Sequence, residues 1–96
     1  MAKAPANAAW APPPYTLAEA HAIRALQAGS ADEHAQRRAL RWIVETAAGT
    51  YQPSYRPDSD RDTAFAEGRR SVGLAIVKLL NMPAEVLAKM GTQHGG

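Results

Sequence analysis

The sequence predicts an all-α fold, a helical hairpin or small bundle of three to four helices carrying an extended, proline-rich N-terminal arm. Three observations point there. Alanine, a strong helix former, supplies 21 of the 96 residues. Apolar residues recur at helical spacing, and no stretch alternates in the manner of a strand. Capping residues and glycines cut the chain into helix-sized pieces.

Residues 1–15 are rich in alanine and proline, with Pro12, Pro13 and Pro14 in a row. Proline fixes its own φ and pushes its predecessor toward extended backbone, which predicts a polyproline-like arm. Within that arm Trp10, Pro13 and Tyr15 are the candidates for gripping a neighbouring protein. Pro12-Pro-Pro-Tyr15 also matches a short motif read by some eukaryotic modules; an extended strap is the plainer reading. Thr16 and Glu19 then form a capping box, opening a helix over about Leu17–Ala28 that Gly29 stops. A second box, Ser30 with Glu33, opens a helix reaching about Ala48, and Gly49 ends it. Ala39, Leu40, Ile43, Val44 and Ala47 form its apolar face, with Trp42 at the boundary. Residues 50–61 connect to a third helix capped by Ser59 or Asp60 and ending near Asn81. Pro83 suits the first position of a short last helix carrying Val86, Leu87 and Met90, closed by Gly91. The expected organisation is an arm at 1–15, a helical domain at 16–91 and a loose tail at 92–96.

The third helix, about residues 63–80, is the most informative stretch. It begins with a charged cluster at Glu67, Arg69 and Arg70 and becomes almost wholly apolar, so its second half is expected to be buried. Ala64, Gly68, Ser71 and Ala75 form a lane of small side chains, and glycine inside a helix costs about 1 kcal/mol relative to alanine. Close packing against another backbone is the expected compensation. Gly68, Arg69, Ser71 and Ala75 are therefore candidate partner-binding residues. Glu67 and Arg70 are expected to pair at i,i+3, with Arg69 facing a neighbouring chain.

Several function classes find little support. The chain has no cysteine, which excludes disulfides and thiol chemistry. No run reaches the roughly 18 apolar residues of a membrane span, and no export signal is recognisable. His21, His34 and His94 show no metal-ligand spacing. Asp58, Asp60 and Asp62 copy the start of a calcium loop, but Thr63 stands in the glycine position and Arg69 in that of the bidentate glutamate, which leaves helix capping. No catalytic residue, cofactor, metal or small-molecule substrate is expected. The net charge is +2 and the pI about 9.3. This mild basic bias has acids interspersed, so charge alone does not argue for DNA. Arg37, Arg38 and Arg41 could nevertheless touch phosphates, and a solvated face with a Glu33–Arg37 pair is the competing reading.

Ala64-Phe65-x-Glu67-Gly68-Arg69-Arg70-Ser71-Val72-Gly73, preceded by a Pro- and Asp-containing turn and an Arg-rich helix, resembles a family of small tailed-bacteriophage proteins. These are about a hundred residues long, mostly uncharacterised, and encoded among head and tail morphogenesis genes. The resemblance covers roughly residues 33–80; the second-helix region, with Ala and Arg in place of a Gly-and-bulky-apolar pattern, departs from it. It transfers no catalytic residue and implies a role in the virion or its assembly. The expected function is therefore a non-enzymatic structural protein, made in the bacterial host cytoplasm and located in the virion. Its expected partners are portal, tail or capsid components and copies of itself. A small nucleic-acid-binding packaging or internal protein is the alternative.

Overall fold

The computed structural model describes residues 10–94, so what the sequence predicts for residues 1–9, 95 and 96 lies outside the described residues. Among the described residues the chain is all-α. Helices α1 (Leu17–Ala28) and α2 (Glu33–Arg41) precede a π-helical turn at Trp42–Ala47; α3 (Asp60–Leu80) and α4 (Ala84–His94) follow.

Local chemistry explains most boundaries. The Thr16 amide donates to Glu19 Oε1 at 2.8 Å and Thr16 Oγ1 accepts from the Glu19 amide at 3.3 Å, a reciprocal capping box. Gly29 closes α1 at φ 73°, a left-handed conformation that costs glycine nothing. The next cap falls on Asp32, two residues beyond the expected Ser30. Asp32 Oδ1 accepts from the Ala35 amide at 2.8 Å, whereas the Ser30 hydroxyl turns back to the Ala25 carbonyl at the end of α1. Ser59 caps α3, accepting from the Asp62 amide at 3.1 Å. At the other end α4 continues through Gly91 to His94, past the expected stop.

The expected second helix changes pitch rather than ending at Arg41. Its backbone widens into the π turn, where the Ala48 amide reaches the Ile43 carbonyl at 2.9 Å. Val44 and Ala48 are thereby both buried. Gly49 follows at φ 60° and turns the chain away.

The packing is serial: α1 lies against α2, α2 leads into the π turn, and α3 crosses the π turn. The buried core is small in side-chain terms, comprising Ala22, Ala39, Val44, Ala48, Ala66 and the hydroxyl-bearing Thr50. Burying a valine contributes about 1.5–3 kcal/mol, and an alanine methyl well under that. The Cα radius of gyration is 16.7 Å, against about 12–13 Å for a compact domain of this length. The molecule is drawn out because its later helices have little to fold onto.

That reverses one expectation. The second half of α3 is not buried: Leu74, Leu79 and Leu80 are 43%, 64% and 57% exposed. The helix meets the π turn and the residues just after it through its middle, by way of Ala66, Arg69, Arg70 and Gly73. The close backbone approach also occurs elsewhere than in the expected lane. A Cβ on Gly73 would overlap Thr50 Oγ1 and stand 2.9 Å from Ala48 Cβ, whereas one on Gly68 would meet nothing within 4 Å. Ala64, Gly68, Ser71 and Ala75 all face outward.

Candidate functional site: a clamp and two apolar surfaces

The charged cluster of α3 organises the chain's own loop. Thr63, Glu67 and Arg70, at i, i+4 and i+7, share the face that meets residues 50–56. Thr63 Oγ1 accepts from the Arg56 amide at 2.8 Å. Glu67 Oε1 accepts from the Ser54 hydroxyl and lies 3.8 Å from Arg70 Nη1, the expected i,i+3 pair. Arg70 Nε donates to the Thr50 carbonyl at 3.0 Å.

Arg69, expected to face a neighbouring chain, instead engages its own. Its Nε and Nη2 donate to the Ala47 carbonyl at 3.1 and 2.8 Å, and Nη2 also reaches the Thr46 carbonyl at 3.2 Å. These carbonyls belong to the end of a helix, where acceptors lack intrahelical partners, and a planar guanidinium can serve two at once. Thr50 completes the joint: its hydroxyl donates to the Val44 carbonyl at 2.6 Å, directly beneath Gly73. The Glu-Gly-Arg-Arg segment is thus a clamp that fixes the angle at which α3 leaves the domain.

Beyond the clamp, an apolar surface has no covering element among the described residues. The second half of α3 continues into α4 through a 93° bend at Asn81–Pro83. Val86, Leu87 and Met90 lie along one side of α4 and are 38%, 51% and 40% exposed. No single described helix is long and apolar enough to cross a membrane; the bent pair passes only when taken together.

A second apolar surface lies at the opposite end of the helix series. Tyr15, Ala20, Ile23 and Trp42 line an open groove of about 330 Å³, with Glu19 and Arg24 at its rim. Trp42 Nε1 donates to the Pro14 carbonyl at 2.9 Å, tying the end of the arm beside this groove. Half of the Trp10 surface is exposed, and Pro13 is partly covered.

Of the three α2 arginines, Arg37 lies 2.6 Å from Glu33 and Arg41 4.0 Å from Glu45, all well exposed. Arg38 lines a shallow groove between α1 and α2 together with His21, His34 and Asp32. Among the described residues, no group of three or more histidines and carboxylates is gathered closely enough to hold a metal ion.

Sequence reasoning missed Gly73, Ile23, Arg24 and the groove-forming role of Trp42. The available signal was the position of Trp42 at the edge of an otherwise regular apolar face, where a large ring can meet the preceding arm. The family model described as Bbp19-like phage protein matches residues 37–90, more than half of the chain, from within α2, through all of α3, into α4. No curated protein and no solved structure matches the chain.

Proposed function

Because the chain belongs to the family of Bbp19-like phage proteins, we propose that it is a non-enzymatic structural or assembly component of a bacteriophage particle. In this reading it docks through its helices and arm in a multi-copy portal–tail or internal head assembly. One observation carries the proposal: the distal half of α3 and the α4 residues Val86, Leu87 and Met90 expose large apolar side chains that no element among the described residues covers. Continuous exposed apolar surface on a soluble chain marks a place where another molecule sits. The small alanine core supports the same reading, since a chain with little internal burial gains stability from partners. Mass spectrometry of purified particles tests it. Tens of copies per particle are expected, and absence from intact particles would refute a structural role.

A nucleic-acid-binding role is the second reading, favoured by Arg38 and two histidines sharing one groove. It stands behind the first because Arg37 and Arg41 already face carboxylates. Retardation of DNA in a gel, strongly weakened by added salt and lost on Arg38→Gln, would favour it over the assembly role.

A further inference from the structure

We propose that two copies of this chain pair through the outer face of α3, antiparallel about a two-fold axis. The inference rests on the assembly reading above and names one contact within it. At about 100° per residue, Phe65, Val72 and Leu79 form a row within an arc of about 40° on α3. Arg61, Gly68 and Ala75 form a second row about 40° further round. Both rows lie about 80–160° away from Gly73, the residue pressed against Thr50 and Ala48, so they point clear of the chain's own contacts. Phe65, Val72 and Leu79 are all exposed. Each row repeats at seven residues and the two alternate in steps of three and four, the seam along which helices supercoil.

The seam fits a second copy of itself in one orientation. One row is large, and the other is small at Gly68 and Ala75. In parallel, like rows meet: Phe65 crowds Phe65 of the second copy, and Gly68 leaves a gap against its equivalent. Antiparallel, each row faces the other. Val72 then sits over Gly68 of the second copy, Phe65 over its Ala75 and Leu79 over the stem of its Arg61. The same three layers recur by symmetry, the mark of an isologous contact.

Charge and area select the same occupant. Arg61 stands in the first turn of α3, where the helix dipole disfavours a cation. Its guanidinium has no ion-pair or hydrogen-bond partner among the described residues. In the antiparallel pair it lies beside the last turn of the second α3, where a cation is favoured and carbonyls lack helical partners. Arg69, on the flank of the seam, is turned onto its own Ala47 and Thr46 carbonyls. The chain exposes 7602 Å², against about 5,400 Å² for a compact protein of 10.3 kDa. With the whole extended-chain area of residues 1–9, 95 and 96 set aside, about 1,400 Å², the described part still exposes about 1,200 Å² more than a compact chain of its mass. Half the circumference of α3 over its length of roughly 30 Å is about 600 Å² per copy. The pair would thus bury about 1,200 Å², which reaches the range of specific interfaces. A lipid surface is the competing occupant, and it would be indifferent to which row is large.

Sedimentation velocity of the full-length chain over a wide concentration range tests the contact. Wild type is expected to form dimers. Gly68→Leu should weaken dimerisation at least about thirtyfold, because it overpacks two symmetric layers. Its helicity should hold, since a Cβ at Gly68 enters open space in the single chain. The swapped variant Gly68→Leu/Val72→Ala returns one large and one small residue to each of those layers and should recover association. Arg61→Glu should weaken the dimer roughly tenfold while favouring the helix of the monomer. A wild type that stays monomeric throughout, or a dimer indifferent to Gly68→Leu, would overturn the proposal. Failure of the swap to restore what Gly68→Leu removes would overturn the antiparallel register. Flotation of the wild type with phosphatidylglycerol–phosphatidylethanolamine vesicles, abolished by Val72→Asp, would assign the face to lipid and overturn the pairing. Presence in virions without dimers defeats this contact alone, and absence from virions defeats the structural role.

Discussion

Gly73→Ala is the sharpest probe of how α3 is held. The added methyl would fall on Thr50 Oγ1 and within 2.9 Å of Ala48 Cβ and Thr50 Cβ. Neither neighbour can withdraw easily: Thr50 is 1% exposed, Ala48 is 7% exposed, and the Thr50 hydroxyl is bonded to the Val44 carbonyl. Overpacking of this kind costs about 1–3 kcal/mol. Displacing the hydroxyl loses a further ~0.5–1.5 kcal/mol of hydrogen bonding. The loss stays in that range because the Thr50 amide also donates to Val44, at 3.2 Å, and keeps the carbonyl satisfied. Alanine in place of glycine returns about 1 kcal/mol of helix propensity. The expected net effect is a destabilisation of about 1–3 kcal/mol, read from urea unfolding followed by circular dichroism, with the midpoint lowered and the slope unchanged. Gly68→Ala is the matched control. Its Cβ enters open space, so the propensity gain is unopposed and stability should rise by up to about 1 kcal/mol. If Gly73→Ala unfolds at or above the wild-type midpoint, the close crossing of α3 over Thr50 is wrong and the account of the clamp fails with it.

Arg69→Ala should lower stability by about 1–2 kcal/mol in the same assay, because it removes charged donors from the Ala47 and Thr46 carbonyls at a partly exposed site. Arg69→Lys should recover only part of this, since an ammonium lacks the planar fork. Trp42→Phe should cost about 0.5–1.5 kcal/mol and speed hydrogen exchange or proteolysis around Pro14, whose carbonyl loses its donor. Glu33→Gln should change stability by no more than about 0.5 kcal/mol, because its partner Arg37 and its own carboxylate are both well exposed.

What the sequence made legible was local. Thr16 with Glu19, Ser59 before α3 and Gly29 after α1 act within four residues of themselves, and the helices begin or end where those residues place them. Ser30 misled because Asp32 offers a second cap two residues later, where its carboxylate takes the Ala35 amide while the Ser30 hydroxyl turns back to Ala25. The π turn is not visible in the letters at 42–47, since its extra residue is accommodated by Thr50 and Arg69 from outside the segment. Choosing the glycine that receives a neighbour required the path of the loop at 48–50, and no spacing rule supplies that path. The burial of α3 was inverted for a related reason. An apolar run reports that something covers it, without reporting whether the cover lies in the same chain.

The corner at Asn81–Pro83 is held by few bonds of its own: the Asn81 and Met82 amides reach back to Val77 and Leu79, and the Val86 and Leu87 amides reach the Pro83 carbonyl. Met90 stands seven residues past that corner, about 10 Å out along α4. A swing of about 10° at the hinge would carry its tip by roughly 2 Å, on this same rise per residue. Such a displacement is enough to take a side chain out of its socket. Substitutions at Met82 or Pro83 would therefore redirect α4 and its exposed Val86, Leu87 and Met90, while leaving the folded unit and every residue of that surface as they were.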